Sequence, residues 1–411
     1  MNNNPARPRE YDAVLGGHAP PPLDGAILGG LAGVKNRLKS TVARERAAAL
    51  IEALRYREEG LDLLMEALKD SSEQVELFAS RLLRQTGSQK GKQALLEHNP
   101  WLLFTRLEDW QVEDFEPAVG ITDPVGTAYN VNLYLLEPTG YGYSKIVEDF
   151  TLEPFQVLVK DPQARDVEAL ACWMSEEYIC YEQCRSFVDA LCKARKRLSS
   201  LKALFIGDRR EHKFNKPRLF LSEITPILKS YPHLEVLKLH GYLSGEPQLK
   251  GLRHDYLKTL ITESAWVTSK DVAHICALDL PALEYFELWM SHEDTPESII
   301  DSLTPVLSGK SFPNLIYLGL RSFEHADEIV EALVQSPILD RLAGLDLSMG
   351  TLTDKGAEIL LQCSAIDRLH TLNVSMNCLS TNTIQKLSGL NCWVISEPQT
   401  NEDDRYYALY E

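Results

Sequence analysis

The sequence predicts an α/β solenoid, parallel strands with helices outside, preceded by a small all-α domain. Three observations predict it. The pattern Leu-x-x-Leu-x-Leu occurs at Leu315/Leu318/Leu320, Leu342/Leu345/Leu347 and Leu369/Leu372/Val374, with starts 27 residues apart both times. The same pattern, with conservative swaps, runs back through Leu283/Phe286/Leu288, Leu257/Leu260/Thr262, Leu234/Leu237/Leu239, Leu201/Leu204/Ile206 and Val167/Leu170/Cys172. Before residue 107 the apolar period changes from that of strands to that of helices.

The first two observations describe leucine-rich repeats. In each unit a short strand feeds a turn and then a helix, and neither buries its apolar face alone, so stacking creates the core. The eight candidate strands are spaced 34, 33, 23, 26, 32, 27 and 27 residues apart. The wide early spacings predict long loops or extra turns in the first repeats. Only the last unit has Asn, Asn377, where many such repeats bond the turn backbone. The other units carry Arg209, Tyr242, Ala265, Ser291, Phe323 and Gly350 there.

In chain order, residues 1–30 form a Gly/Pro-rich leader, with breakers at Gly16-Gly17, Pro20-Pro21-Pro22 and Gly29-Gly30. Its two Leu-Gly-Gly turns suit either an ordered strap or a flexible tail. Residues 31–109 form a HEAT-like helical module. Its predicted stripes are Ala47, Leu50, Ile51 and Leu54; Leu61, Leu64, Met65 and Leu68; and Val75, Phe78, Ala79, Leu82 and Leu83. The link Lys69-Asp70-Ser71-Ser72 stops one helix and offers an N-cap to the next. His98-Asn99-Pro100 marks the last turn. Residues 110–411 form the repeat domain. Its first part, 114–120 and 128–136, reads as a hairpin or edge structure that caps the solenoid. Glu182 to Leu198 reads as a helix with Phe187, Val188 and Leu191 inward and a basic last turn.

Two resemblances add to this. Arg9 to Gly17, the second Leu-Gly-Gly at 28–30, Gly33 to Leu38 and Gly60 to Asp70 resemble a module at the N-terminus of cyanobacterial repeat proteins. That resemblance implies a cyanobacterial source and a scaffold or adaptor use. Leu201 to Asp208, Leu280 to Trp289, Phe312 to Arg321, Asp346 to Ala357 and Asp403 to Ala408 resemble a bacterial family of ribonuclease-inhibitor-like leucine-rich repeat proteins. That family has no assigned catalytic residues, so none are carried over.

Composition sets the class. The chain has 411 residues, 44% of them apolar, and no apolar run long enough to span a membrane. The N-terminus lacks an apolar signal region, so a cytoplasmic protein is expected. The eight cysteines show no zinc spacing and read as free thiols, although Cys180 and Cys184 could share a helix face. Residues 1–110 hold 15 basic and 15 acidic side chains, so the whole net charge of −17 falls on the repeat domain. A field of that sign repels phosphate backbones and acidic membranes. The expected partner is a protein, neutral or basic, with no nucleic acid and no membrane.

Chemical motifs are sparse. A phosphate loop needs backbone amides wrapped by G-x-x-x-x-G-K-[ST]. Gly87 to Lys92 is one residue short and ends in Gln93, and Gly309-Lys310-Ser311 has Thr304 where the first Gly belongs. Ser291-His292-Glu293-Asp294 gathers possible metal ligands but reads better as a polar loop after a strand. No catalytic residue, cofactor or metal is expected, and the oligomeric state is open.

The strand pattern does single out one surface. When the leucines face the core, alternate residues face the other side of the sheet. Tyr285 and Tyr317 then share a level on neighbouring strands, and Trp289 and Arg321 share another, at cation–π range. With His240, Glu263 and Glu287 they form a candidate protein-binding patch of the residue types that dominate interfaces. Two arrangements fit: an open patch on the concave face, or aromatics covered by a loop or by the helical module. The expected function is a non-enzymatic scaffold or adaptor. The alternatives are a regulator or inhibitor of a basic protein or enzyme, and an enzyme with an unrecognised site.

Overall fold

The computed structural model describes residues 30–135, 150–174, 181–208, 225–241, 252–264, 267–290 and 295–400. The leader through residue 29, the Cys180 and Ser291–Asp294 motifs and the 403–408 tail lie outside the described residues. The chain divides into two compact units, Met1–Leu103 and Phe104–Glu411.

The described part of the first unit is helical: α1 Gly30–Arg37, α2 Ala43–Ala53, a 3-10 turn Leu54–Tyr56, α3 Arg57–Ala67, α4 Glu73–Thr86 and α5 Gln89–His98. The second and third predicted stripes pack as expected, with Leu61, Leu64, Leu68, Val75, Ala79, Leu82 and Leu83 in one cluster. The first stripe is corrected. Leu50 is buried, but α2 turns Ala49 and Ala53 inward and leaves Ile51 52% and Leu54 38% exposed. The inward face of α2 also carries Arg46, whose guanidinium grips Asp70 through two bonds of 2.8 and 2.7 Å and also donates to the Ser40 carbonyl. Asp70 thereby fixes the α3–α4 link, also accepting from the Ser72 amide. Ser72, the link's N-cap residue, makes no side-chain bond to α4; its amide is held by Asp70 instead.

The second unit is built on one ladder of parallel strands. In order these are β1 Gln111–Asp114, β2 Thr127–Leu135, β4 Ala169–Met174, β5 Ala203–Asp208, β6 Val236–His240, β7 Thr259–Glu263, β8 Tyr285–Trp289, β9 Tyr317–Arg321, β10 Gly344–Asp346, β11 Thr371–Asn373 and β12 Trp393–Ile395. A two-residue strand, β3 Phe150–Thr151, pairs antiparallel with β2. The eight strands expected from the leucine pattern are β4 to β11, and they pair in the expected register: Leu170 opposite Leu204, Leu237 opposite Leu260, Phe286 opposite Leu318, Leu345 opposite Leu372. Those side chains and the apolar faces of the following helices form one continuous core. Parallel strands require a crossover between each pair, and helices provide most of those described.

After α6 Glu153–Lys160, α7 Tyr181–Lys193 and α8 Thr225–Ser230, the helices of the regular part are α9 Ser269–Cys276, α10 Pro296–Leu307, α11 Ala326–Val334, α12 Asp354–Gln362 and α13 Thr381–Leu387. Thr268, Thr295, Thr353 and Ser380 cap four of them through their hydroxyls. The 27-residue spacing also governs the turns. Ser322, Met349 and Met376, each one repeat apart, all adopt positive φ of 54–66°. Asn377 follows the last of them, fully buried. Its amide donates to the carbonyls of Leu347, Val374 and Ser375, and its oxygen accepts from the Leu352 amide. The turn-bonding role expected of this Asn is the one it fills.

Three expectations for this unit change. The 114–136 region is edge structure but not a hairpin: β1 and β2 are parallel, with Gln111 opposite Thr127. The chain between them crosses back over the sheet end, pinned where the Tyr129 hydroxyl accepts from the Thr122 and Asp123 amides and Asp161 accepts from the Ile121 amide. The helix expected to reach Leu198 is α7 Tyr181–Lys193, followed by a separate 3-10 turn. The repeat domain begins at Phe104 rather than at 110, because residues 104–110 pack on the sheet.

Candidate protein-binding face

Side chains that alternate with the leucines emerge on the sheet face opposite the core, in three rows across the strands. The row nearest the strand starts begins with Ala128, Ala169, Ala203 and Val236, aligned by the ladder. Trp110 lies in the shallow trough that these small residues leave, and its indole donates to Glu168 at 3.3 Å. Farther along the row the Thr259 hydroxyl donates to the Thr105 carbonyl at 2.5 Å. Next come Tyr285 and Tyr317, stacked face to face with centroids 4.0 Å apart and planes at 10°. Phe104 sits on both rings, 5.1 and 5.7 Å away. Residues 104–110 therefore form a strap along the first row from β2 to β9.

The strap covers the stacked tyrosines. Tyr285, Tyr317 and Trp289 are 4%, 2% and 8% exposed, and His240 and Glu287 are buried as well. Of the two arrangements open from the sequence, the structure shows cover by a segment of the repeat domain's own start. Alanines at matching positions of three successive strands are the signal that such a cover exists.

The geometry predicted from the alternation is present. Trp289 pairs in register with Arg321, and the guanidinium carbon lies 4.3 Å from the indole ring. Glu287 binds the group together. One carboxylate oxygen accepts from the Tyr285 hydroxyl at 2.5 Å; the other accepts from the Trp289 indole and from Arg321 at 2.8 Å. Arg321 also donates to Ser348 at 3.0 Å. Tyr317 and Asn373 both donate to one oxygen of Asp346, at 3.1 and 2.9 Å. Gly344 makes this possible, since a Cβ there would come within 2.7 Å of the Tyr317 ring.

Electrostatics follow from the packing. Burial works against the Arg321 cation, but the Asp346 and Glu287 carboxylates outweigh it and hold the pKa above its ordinary value. Burial, with those same carboxylates, pushes both tyrosine phenols well above theirs. The tyrosines thus serve as neutral donors. Beside this cluster Glu263 receives His240 at 2.9 Å and Lys238 at 2.8 Å. Burial alone would raise the Glu263 pKa, yet the His240 hydrogen bond and the Lys238 charge bring it down to about 2.

The seven candidate residues fall into two linked groups, then: Tyr285, Glu287, Trp289, Tyr317 and Arg321, and His240 with Glu263. Sequence reasoning missed Lys238, Asp346 and Ser348 as working members, although all three occupy the outward alternate positions. Partly accessible members of the face include Arg321, Lys238, Glu263, Asn373 and Trp173, and Trp393 on β12 is exposed. Trp173 rests on Phe205 with centroids 4.4 Å apart. Among the described residues, no group of three or more His, Cys, Asp or Glu could hold a metal ion, and no helix is long and apolar enough to cross a membrane. Cys172 and Cys276 are buried free thiols, and burial pushes Cys276 up to about 12.

No protein-family model matches the chain, and no curated protein matches it. Among solved structures, the crystal structure of a Bacteroides fragilis protein, a structural-genomics target, is similar at a TM-score of 0.52 and 23% identity. The likeness covers 62% of this chain and 72% of that one. It supports the α/β architecture of stacked parallel strands and helices.

Proposed function

We propose that residues 104–411 are a leucine-rich repeat domain that binds another protein, that the preceding helices are a HEAT-like module, and that the whole is a non-enzymatic cytoplasmic scaffold or adaptor. One observation carries this reading: the middle and outer rows of the sheet face present part-exposed Lys238, and Trp173, Glu263 and Arg321, side chains that are already locked by neighbours. Arg321 is held by stacking and by three side-chain acceptors, Glu287, Ser348 and the Met349 sulfur, so little rotamer freedom is left to lose on binding. The buried Tyr285–Tyr317 pair and Glu287 support these side chains from beneath and do not touch the partner. The acidic balance of the domain selects a neutral or basic partner.

Affinity capture from source cells with the full chain tests the reading. Wild type and Tyr256→Ser, a change at an exposed site away from the face, should hold the same partner. Trp173→Asp and Lys238→Glu should lose it while melting as cooperatively as wild type. Equal capture by all four proteins would remove the face from consideration.

A further inference from the structure

A different surface in the helical unit has its own chemistry. Helix α2 buries Arg46, Ala49, Leu50 and Ala53. Its opposite side, continuing into the 3-10 turn, carries Arg44, Ala47, Ala48, Ile51, Leu54 and Arg55. At 100° per residue these fall within one third of the helix circumference. Ile51 is 52% and Leu54 38% exposed, and Arg44, Ala48 and Arg55 are exposed as well. The face is thus an apolar strip of about three turns, roughly 16 Å long, with an arginine at each end. Ala47 and Ala48 are small enough to let another backbone approach closely.

Charge on this part of the unit is concentrated. Residues 30–57 hold seven basic side chains against two acidic ones, in a chain whose net charge is −17. Arg37 and Arg46 are consumed by Glu52 and Asp70. Lys35, Lys39, Arg44, Arg55 and Arg57 are exposed and form no ion pair among the described residues. Selection for solubility alone favours mixed signs around exposed apolar groups; here both ends of the strip carry an arginine without an ion pair among the described residues, while Glu45 and Glu52 along its edge are engaged by Ser40 and Arg37.

We propose that this face of α2 docks an amphipathic helix of a partner protein, its apolar stripe on Ile51 and Leu54 and its acidic residues on Arg44 and Arg55. Helix-in-groove recognition needs apolar anchors at i, i+3 or i+4 spacing, and Ala47, Ile51 and Leu54 supply them. A second copy meeting the same face is disfavoured, because antiparallel α2 helices would bring Arg44 against Arg55 at both ends. Two large apolar residues are too few to hold a helix in a lipid surface, and the acidic remainder of the chain is repelled by anionic headgroups. The site is independent of the sheet face and stands or falls separately.

The test uses the full chain and two labelled helical peptides of about three turns with the same leucine face, one flanked by Glu and one by Lys. Fluorescence anisotropy should show saturable binding of the Glu-flanked peptide, weakening several-fold as salt rises from about 50 to 200 mM. Ile51→Asp, at an exposed site that leaves the core alone, should weaken it at least tenfold. Arg44→Glu with Arg55→Glu should transfer the preference to the Lys-flanked peptide. Absence of binding, equal binding of both peptides, or binding unchanged by Ile51→Asp would overturn the proposal. So would Ile51-dependent binding to phosphatidylserine vesicles, or Ile51-dependent self-association in sedimentation.

Discussion

Glu263 keeps its charge in a largely buried position, and acid should expose the cost. Its pKa lies near 2 in the folded chain, against an ordinary value of 4.5. A depressed carboxylate contributes its stabilisation in full above the unfolded value and loses it as pH falls through the folded one. Between pH 4.5 and 2 wild type should therefore lose stability that Glu263→Gln does not have to lose. Urea unfolding at pH 7 and pH 3 checks this: the gap between wild type and variant should shrink at the lower pH. A gap of constant size would mean that Glu263 is not the titrating group. At this scale the sequence was informative about position and silent about burial. Strand alternation placed Trp289 beside Arg321 and Tyr285 beside Tyr317 correctly. It could not place Phe104 over the tyrosines, because the two lie some 180 residues apart and no local period links them.

At the level of the element, the repeat is specified by its turns as much as by its leucines. Each regular turn places one left-handed residue, Ser322, Met349 or Met376, ahead of the helix, and the last turn is then closed by Asn377. Asn377→Ala would remove the bonds its side chain makes to three carbonyls and one amide, though the Val374 and Ser375 carbonyls keep the Gln399 side chain and the Met349 amide. The expected loss is therefore about 2–3 kcal/mol rather than the full sum. Chemical denaturation should show it as a lower midpoint with unchanged cooperativity; a loss under about 0.5 kcal/mol would mean that the turn is held by its backbone alone. Strands β4 to β11 were legible because each repeats the same three core positions. β12 was not, since Trp393-Val394-Ile395 lacks the leucine pattern, and Asp123-Pro124 with Gly126 suggested a reversal where the chain makes a parallel crossover. In α2, alternation of alanines between buried and exposed faces hid which side carried the core, and Ile51 was assigned inward for that reason.

For the whole molecule, the decisive boundary is at Phe104. The two units have separate cores, one of helices and one of stacked strands, and the short strap from Phe104 to Trp110 belongs to the second. The change from helical to strand-like period placed the border at 110, six residues away, and charge divides at almost the same place, neutral before residue 110 and strongly acidic after it. A fragment spanning 104–411 should fold and melt in a single transition, because its core and the cover of its sheet face are both present. A fragment spanning 111–411 keeps every strand but loses Phe104 and Trp110, leaving the alanine trough and the stacked tyrosines bare. Removing a buried aromatic of that size costs about 3–5 kcal/mol, so the shorter fragment should melt roughly 10 °C lower by circular dichroism. It should also bind a hydrophobic dye that the longer fragment does not. Equal melting of the two would make the strap a passive tether and return Tyr285 and Tyr317 to the list of surfaces open to a partner.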